Sequence, residues 1–233
     1  MAETITNGFL IFRKDYEMFD EILGFINEYG NIFSVLALGT RKILSKNSRN
    51  LFFGCLAEFS FFASRDIDFK MGKLKKVIIL ENNINISNRS PLILFNNIIY
   101  QNKIKGISVF NELKKLVENL ILFEQEYDDL LIIYTLYKTC GFLGIKLNLN
   151  SCTKCDSRLI FSFSNDSFGF VCKKHFLENY KILDKSLEIL YLCSLKKFKI
   201  ANNYEKNTKK IAVRILVDYI NYHAGINLFS YLF

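Results

Sequence analysis

An α+β fold with its strands and helices segregated is predicted for this chain, and three observations carry the prediction. Short apolar runs with period-two alternation fill roughly the first eighty residues. Beyond Pro91, the single proline, the period becomes helical. Within the helical part, Cys152-x-x-Cys155 is followed after sixteen residues by Cys172-x-x-His175.

The strand runs come in order. Ile5, Phe9 and Ile11 open the first, and residues 17–26 give a second. Glu28-Tyr29-Gly30-Asn31 supplies turn residues leading into a third at 32–38, which Gly39 ends. Residues 52–62 alternate most clearly, with Ala57, Phe59 and Phe61 on one face and Leu56, Glu58 and Ser60 on the other. A last run covers 74–80. Five short antiparallel strands suit a small closed barrel of the oligonucleotide-binding (OB) type.

The polar stretch before Pro91 marks a boundary, since proline fits a helix start better than a strand interior. Leu113, Leu116, Val117, Leu120 and Ile121 form one helical stripe, with Glu112, Lys115, Glu118 and Asn119 off it. Residues 129–143 are apolar on most sides, as in the central helix of a bundle, and 184–197 read as another helix. Ala212, Ile215, Leu216, Tyr219, Ile220 and His223 mark a last one, with Gly225 placed for a left-handed C-terminal cap. The expected plan is a barrel at 1–80, a linker at 81–90, a helical domain at 91–150 and 177–233, and a zinc-binding insertion at 151–176.

The insertion rests on ligand chemistry. Cys152, Cys155, Cys172 and His175 offer three thiolates and one imidazole, which fill the tetrahedron zinc prefers and leave no position for substrate. A structural zinc is therefore expected. Ser162, Ser164-Asn165-Asp166-Ser167 and Gly169 supply the turn between the ligand pairs. Cys55, Cys140 and Cys193 lie singly in apolar stretches as small buried hydrophobes, so no disulfide framework is implied. No export signal is read at the start, and the longest apolar run, 51–64, is broken by Glu58. These features point to the cytoplasm and away from a membrane.

A formal charge of +8 implies a polyanionic partner, nucleic acid foremost. Arg41, Lys42, Lys46 and Arg49, with Ser45 and Ser48, make a loop of four cations without an acid. On a barrel edge such a loop contacts phosphates without reading bases. Lys70, Lys73, Lys75 and Lys76 extend it, and lysines between 196 and 210 form a second basic stretch. Among Phe52, Phe53, Phe59, Phe61 and Phe62, one or two are expected outside the core to stack on bases. Neither a phosphate-binding G-x-x-x-x-G-K-[ST] loop nor G-x-G-x-x-G occurs, and His223 sits on an apolar stripe, so no enzyme is indicated.

Taken in order, Gly8-Phe9-Leu10-Ile11-Phe12-Arg13, Tyr16-Glu17, Glu28-Tyr29-Gly30-Asn31-Ile32-Phe33-Ser34, Gly39-Thr40-Arg41-Lys42, Gly144-Ile145, the two ligand pairs and His223-Ala224-Gly225 with Ser230 resemble the bacterial recombination mediator family RecO along essentially the whole chain. The resemblance implies a protein that binds single- and double-stranded DNA, anneals strands, contacts the C-terminal tail of single-stranded-DNA-binding protein and works with RecR at the nucleoid. It assigns Arg41, Lys42, Lys46 and Arg49 to DNA and Cys152, Cys155, Cys172 and His175 to zinc. Two departures stand out: the helix before the knuckle carries Lys138 where relatives often carry arginines, and Phe229 replaces a basic residue before the terminal serine. The other reading is a zinc-knuckle RNA- or DNA-binding module without mediator activity.

Overall fold

The structure, a computed structural model, describes residues 3–62, 71–177 and 184–228. Lys70, Phe229 and Ser230 lie outside the described residues. The chain forms two compact units, Met1–Leu122 and Phe123–Phe233.

In the first unit five strands close a barrel: β1 (Glu3–Tyr16), β2 (Asp20–Asn27), β3 (Ile32–Ala37), β4 (Leu56–Phe62) and β5 (Gly72–Glu81), in the order β1-β2-β3-β5-β4. β1 is long enough to serve two neighbours. Its first half pairs with β4, from Glu3↔Phe62 to Phe9↔Leu56, and its second half with β2, down to Tyr16↔Asp20. A bulge between Leu10 and Phe12 bends it between the two. The third run starts as expected at the Gly30 turn, where φ is +77° and a side chain would collide with the backbone of Gly106.

Three expectations change. Glu17, expected in a strand, has φ +52° and belongs to the β1–β2 turn. Residues 52–55 precede β4, because Gly54 turns the chain at φ +78°. The strands are not all antiparallel: β3 and β5 meet in parallel through Val35↔Gly72 and Leu36↔Lys73, the seam that closes the barrel.

The alternation read in 52–62 identifies the interior. Ala57, Phe59 and Phe61 are buried with Leu10, Leu23, Phe25, Val35 and Val77. The Phe25 and Phe59 rings stack at 4.4 Å, and Phe61 meets Phe25 edge-on at 5.5 Å. Ser60 is buried too, donating to a Glu3 carboxylate oxygen. β1 shows no clean alternation because both its faces are covered: Leu10 points into the barrel, while Phe9 packs on Phe110 at 5.4 Å and Phe12 stacks on Tyr100 at 3.9 Å.

Those outer partners come from α1 (Ser90–Gln101), which opens with Pro91, and α2 (Ile107–Leu122). Gly24 leaves the space that the Tyr100 ring occupies. The α2 stripe buries Leu113, Leu116, Val117 and Leu120, but Ile121 is exposed and Glu112 is buried. Both helices thus belong to the same compact unit as the barrel.

The second unit is built on α3 (Asp128–Phe142), whose residues Leu130 to Leu136 are all buried, as expected of a central helix. It packs against α4 (Asp184–Ser194) and α6 (Lys206–Ala224). α4 ends before 197 because Lys196 turns left-handed at φ +59° and the Lys197 amide reaches back to the Leu192 carbonyl at 2.9 Å. A short α5 (Phe198–Ala201) follows. Gly225 caps α6 at φ +66°, its amide donating to the Asn221 carbonyl at 3.0 Å.

Arg13 clamps the barrel end. Its guanidinium donates to both Glu21 carboxylate oxygens, at 2.6 and 3.1 Å, and to the Leu51 carbonyl at 2.9 Å. Burial works to raise the Glu21 carboxyl, yet the Arg13 hydrogen bonds prevail and hold it below the ordinary carboxylate range. The pair therefore stabilises the fold above the unfolded carboxylate pKa and is lost as pH falls through the lower folded value. Arg13→Met leaves a buried carboxylate unpaired and is expected to cost about 2–4 kcal/mol at neutral pH. In that variant acidification should narrow the stability gap to the parent, which denaturant melts across pH 3–7 would reveal; a constant gap would remove the clamp from the account.

Candidate nucleic-acid interface and metal centre

The basic loop between β3 and β4 is a constructed turn. The Thr40 hydroxyl donates to the Ala37 carbonyl at 3.1 Å, the Lys42 amide to the Gly39 carbonyl at 3.2 Å and the Ser45 amide to the Lys42 carbonyl at 2.9 Å. Two asparagines then fasten its far end to β5. Asn47 donates to the Lys75 carbonyl at 3.3 Å and accepts from the Val77 amide at 3.2 Å, and Asn50 donates to the Val77 carbonyl at 2.7 Å. These are backbone groups on β5 beyond its two-pair seam with β3. The loop thus completes the sheet edge with side-chain amides.

Arg41, Lys42, Lys46 and Arg49 are all exposed on this loop. Arg41 is partly engaged, at 3.1 Å from Asp15 and 3.5 Å from the Glu17 carbonyl. The Lys42 ammonium sits 5.5 Å from the Phe19 ring centre. Lys73, Lys75 and Lys76 are exposed along β5, Lys75 pairing with Glu3 at 2.6 Å. The aromatic expectation divides: Phe59 and Phe61 are core, while Phe52, Phe53 and Phe62 are half-buried, with Lys75 over the Phe62 ring at 5.7 Å. Sequence reading missed Phe19, whose apolar run gave no sign that a turn would expose it.

The second basic stretch loses a member. Lys209 is buried, and its ammonium caps α5 by donating to the Asn202 carbonyl at 2.9 Å and side-chain oxygen at 2.5 Å.

In the other unit the four metal-ligand candidates converge. The ligand atoms of Cys152, Cys155, Cys172 and His175 all lie within 4.8 Å of one another, an arrangement that could hold a metal ion. Cys172 Sγ is 3.5 Å from His175 Nδ1 and 3.7 Å from Cys155 Sγ. A hairpin of β6 (Ser162–Ser164) and β7 (Gly169–Val171) carries the second pair back to the first. The knuckle is tied to it where the Thr153 amide donates to the Phe170 carbonyl at 2.9 Å.

Burial opposes ionisation of Cys152, but amides of Cys172, Lys154 and Cys155 together with the His175 ring bring the thiol down to about 6. At Cys155 the Ser157 amide favours the thiolate, yet partial desolvation and the thiols of Cys172 and Cys152 prevail and raise it. One thiolate is thus favoured and a second resisted until a cation compensates the charge.

His223, which its place on the apolar stripe would put in the core, is not fully buried. It is half-buried, Nε2 lies 3.0 Å from the Asn165 carbonyl, and its ring stacks on Phe168 at 5.1 Å. Next to it Tyr222 donates to Asp166 at 2.7 Å. α6 therefore grips the hairpin turn.

The remaining thiols contrast with the knuckle. Burial pushes Cys140 and Cys193 up to about 12 and also raises Cys55. Alkylation of the native chain with chelator present should therefore mark the knuckle thiols first, the exposed Cys155 and the readily ionised Cys152, with Cys55, Cys140 and Cys193 reacting only after denaturation. Peptide mass spectrometry checks this, and native labelling of Cys140 or Cys193 would contradict the burial described.

The family model for the recombination protein O C-terminal region matches residues 107–231, more than half of the chain. The DNA repair protein RecO of Mycoplasma mycoides subsp. mycoides SC is 24% identical over 234 residues, covering 96% of this chain and 92% of that protein. The RecO protein of Mesoplasma florum is 26% identical over 189 residues, covering 77% and 69%. That of Mycoplasma capricolum subsp. capricolum is 22% identical, covering 96% and 94%. The match across both ligand pairs, together with relatives that span barrel and helices alike, makes this chain a member of the RecO family.

Proposed function

We propose that the chain is a non-enzymatic recombination mediator in DNA repair, binding single- and double-stranded DNA, annealing complementary strands and helping to load recombinase together with RecR. One observation carries the reading: in a RecO-family chain, a closed barrel presents a cation-rich loop already fixed by hydrogen bonds. Arg41, Lys42, Lys46 and Arg49 then contact phosphates, and Lys73 and Lys76 continue the track. Neutralising two backbones at once lowers their repulsion, so base pairing itself drives annealing without nucleotide. The C-terminal tail of single-stranded-DNA-binding protein is the second partner, recruited so that coated strands become substrates. The work is cytoplasmic, at the nucleoid. Among the described residues no helix is long and apolar enough to cross a membrane.

We assign the cluster of Cys152, Cys155, Cys172 and His175 to one structural zinc. Three thiols and an imidazole are the donor set this ion takes when it leaves no position for substrate. Bound there, the ion would join the two ends of the β6–β7 hairpin and supply folding free energy to that part of the second unit.

Removing the metal should loosen the knuckle without touching the barrel loop. Cys152→Ser and Cys172→Ser are expected to lose zinc by elemental analysis and to melt earlier, and a variant that stays metal-free with unchanged melting would reject a structural ion. Replacing Arg41, Lys42, Lys46 and Arg49 together by Ala should weaken DNA binding uniformly across sequences and flatten its salt dependence by roughly 0.7 per lost single-strand contact. Unchanged affinity and slope would move the DNA surface elsewhere. Annealing of strands coated by single-stranded-DNA-binding protein should be accelerated without ATP and should fall when that protein lacks its C-terminal tail. Absence of acceleration on naked and coated strands would leave a nucleic-acid-binding knuckle protein in place of a mediator.

A further inference from the structure

The tip of the basic loop carries two side chains that phosphate contact does not use. Ile43 is 95% exposed and Leu44 85%, adjacent to each other between Lys42 and Lys46. A single exposed aliphatic residue is ordinary. Here the pair stands on a turn held by backbone bonds on one side and by Asn47 and Asn50 on the other, so the chain does not fold the side chains back onto the barrel.

They are also part of a larger rim. The β1–β2 turn exposes Tyr16, Met18 and Phe19, and Leu38 is exposed just before the loop. Turn and loop are joined directly: the Arg41 amide donates to the Phe19 carbonyl at 3.0 Å, the Gly39 amide to Asp20 at 2.7 Å, and Lys42 covers the Phe19 ring. One end of the barrel therefore offers an apolar tip with cations on both flanks, and the exposed Lys73 and Lys76 continue from it along β5.

We propose that Ile43 and Leu44 form a wedge that enters the base stack of a bound DNA strand while the neighbouring cations hold its phosphates. The proposal rests on the reading of this loop as the DNA surface. Aliphatic side chains inserted between bases part them at the cost of stacking, and a fixed, prepaid loop geometry lowers the entropy of doing so. The cations run from the tip along one strand of the barrel, a line that matches the repeating phosphates of a nucleic-acid backbone better than the plane of an anionic lipid surface. A strand held with parted bases cannot fold back to pair with itself, so its pairing edges stay free for a complementary strand. The wedge thus links binding to annealing on one loop.

The test uses the full chain and an oligonucleotide with 2-aminopurine at internal positions, whose fluorescence rises when the base leaves its stack and is not quenched by aliphatic neighbours. Binding of the parent should raise the signal. The variant Ile43→Ser with Leu44→Ser should abolish the rise, weaken binding about tenfold and leave the salt slope unchanged, because no cation has been removed. Both substitutions are on solvated side chains, and an unchanged melting temperature verifies folding. If the double variant keeps the full fluorescence rise, the wedge is overturned while phosphate contact by the loop stands. If the fourfold alanine variant keeps parental affinity and salt slope, the underlying DNA reading fails instead. Binding to phosphatidylserine vesicles, or a reversible dimer in sedimentation, that disappears in the double variant while base unstacking persists would assign the tip to a lipid surface or to a second copy and overturn the proposal.

Discussion

Among the described residues the barrel closes through two residue pairs, and much else follows from where that seam stops. β3 ends at Ala37, and among the described residues it meets β5 at Val35↔Gly72 and Leu36↔Lys73. The edge of β5 beyond Lys73 would otherwise offer free peptide groups to another chain. Asn47 and Asn50 occupy it instead, so the chain between β3 and β4 must pass close to β5 and turn tightly. That constraint gives the loop its fixed shape and directs its cations outward. The outward array of cations is a by-product of finishing the sheet.

Inside the barrel the same closure leaves space for a few large side chains. Phe25, Phe59 and Phe61 fill it ring against ring, and the Arg13 clamp to Glu21 and Leu51 shuts one end with charge where apolar packing stops. Outside, Phe12 and Tyr100 stack over Gly24 and the Ser34 hydroxyl lies 3.3 Å from the Tyr100 hydroxyl. Apolar stacking and single polar contacts thus alternate from the barrel axis to α1. Arg13 enters this interior with Glu21, and Ser34 with Tyr100.

Much of this was legible in the residues themselves. Alternation in 52–62 identified Ala57, Phe59 and Phe61 as interior, the glycines at 30 and 225 marked a turn and a cap, and the ligand spacing brought four side chains together. What escaped were features decided by neighbours distant in sequence. β1 lost its alternation because α1 and α2 cover its outer face, so Phe9, Leu10 and Ile11 are all buried. Glu112 lies on a polar position of its helix by period and is buried all the same. Lys209 was one charge in a basic stretch until α5 presented it with the oxygens of Asn202. The roles of Asn47 and Asn50 depend on β5, about thirty residues onward, and local pattern carries no signal for that.

The grip of α6 on the β6–β7 hairpin has a consequence for the protein's fluctuations. Tyr222 and His223 hold Asp166 and Asn165 at the hairpin tip, Phe163 packs edge-on against Tyr219 at 5.5 Å, and Asn148 pairs with the chain on either side of Gly169. The last turns of α6 and the hairpin therefore share their contacts and open as one cooperative unit. Amide hydrogens at Phe168 and Phe170, which donate to Asn165 and Asn148, and at Gly225, which donates to Asn221, are then expected to exchange with solvent at linked rates. The N-terminal turns of α6, where Lys209 and Ala212 are buried, are expected to open more slowly with the core. A helix that is continuous in sequence is in this sense two elements by contact, one packed in the bundle and one tied to the hairpin.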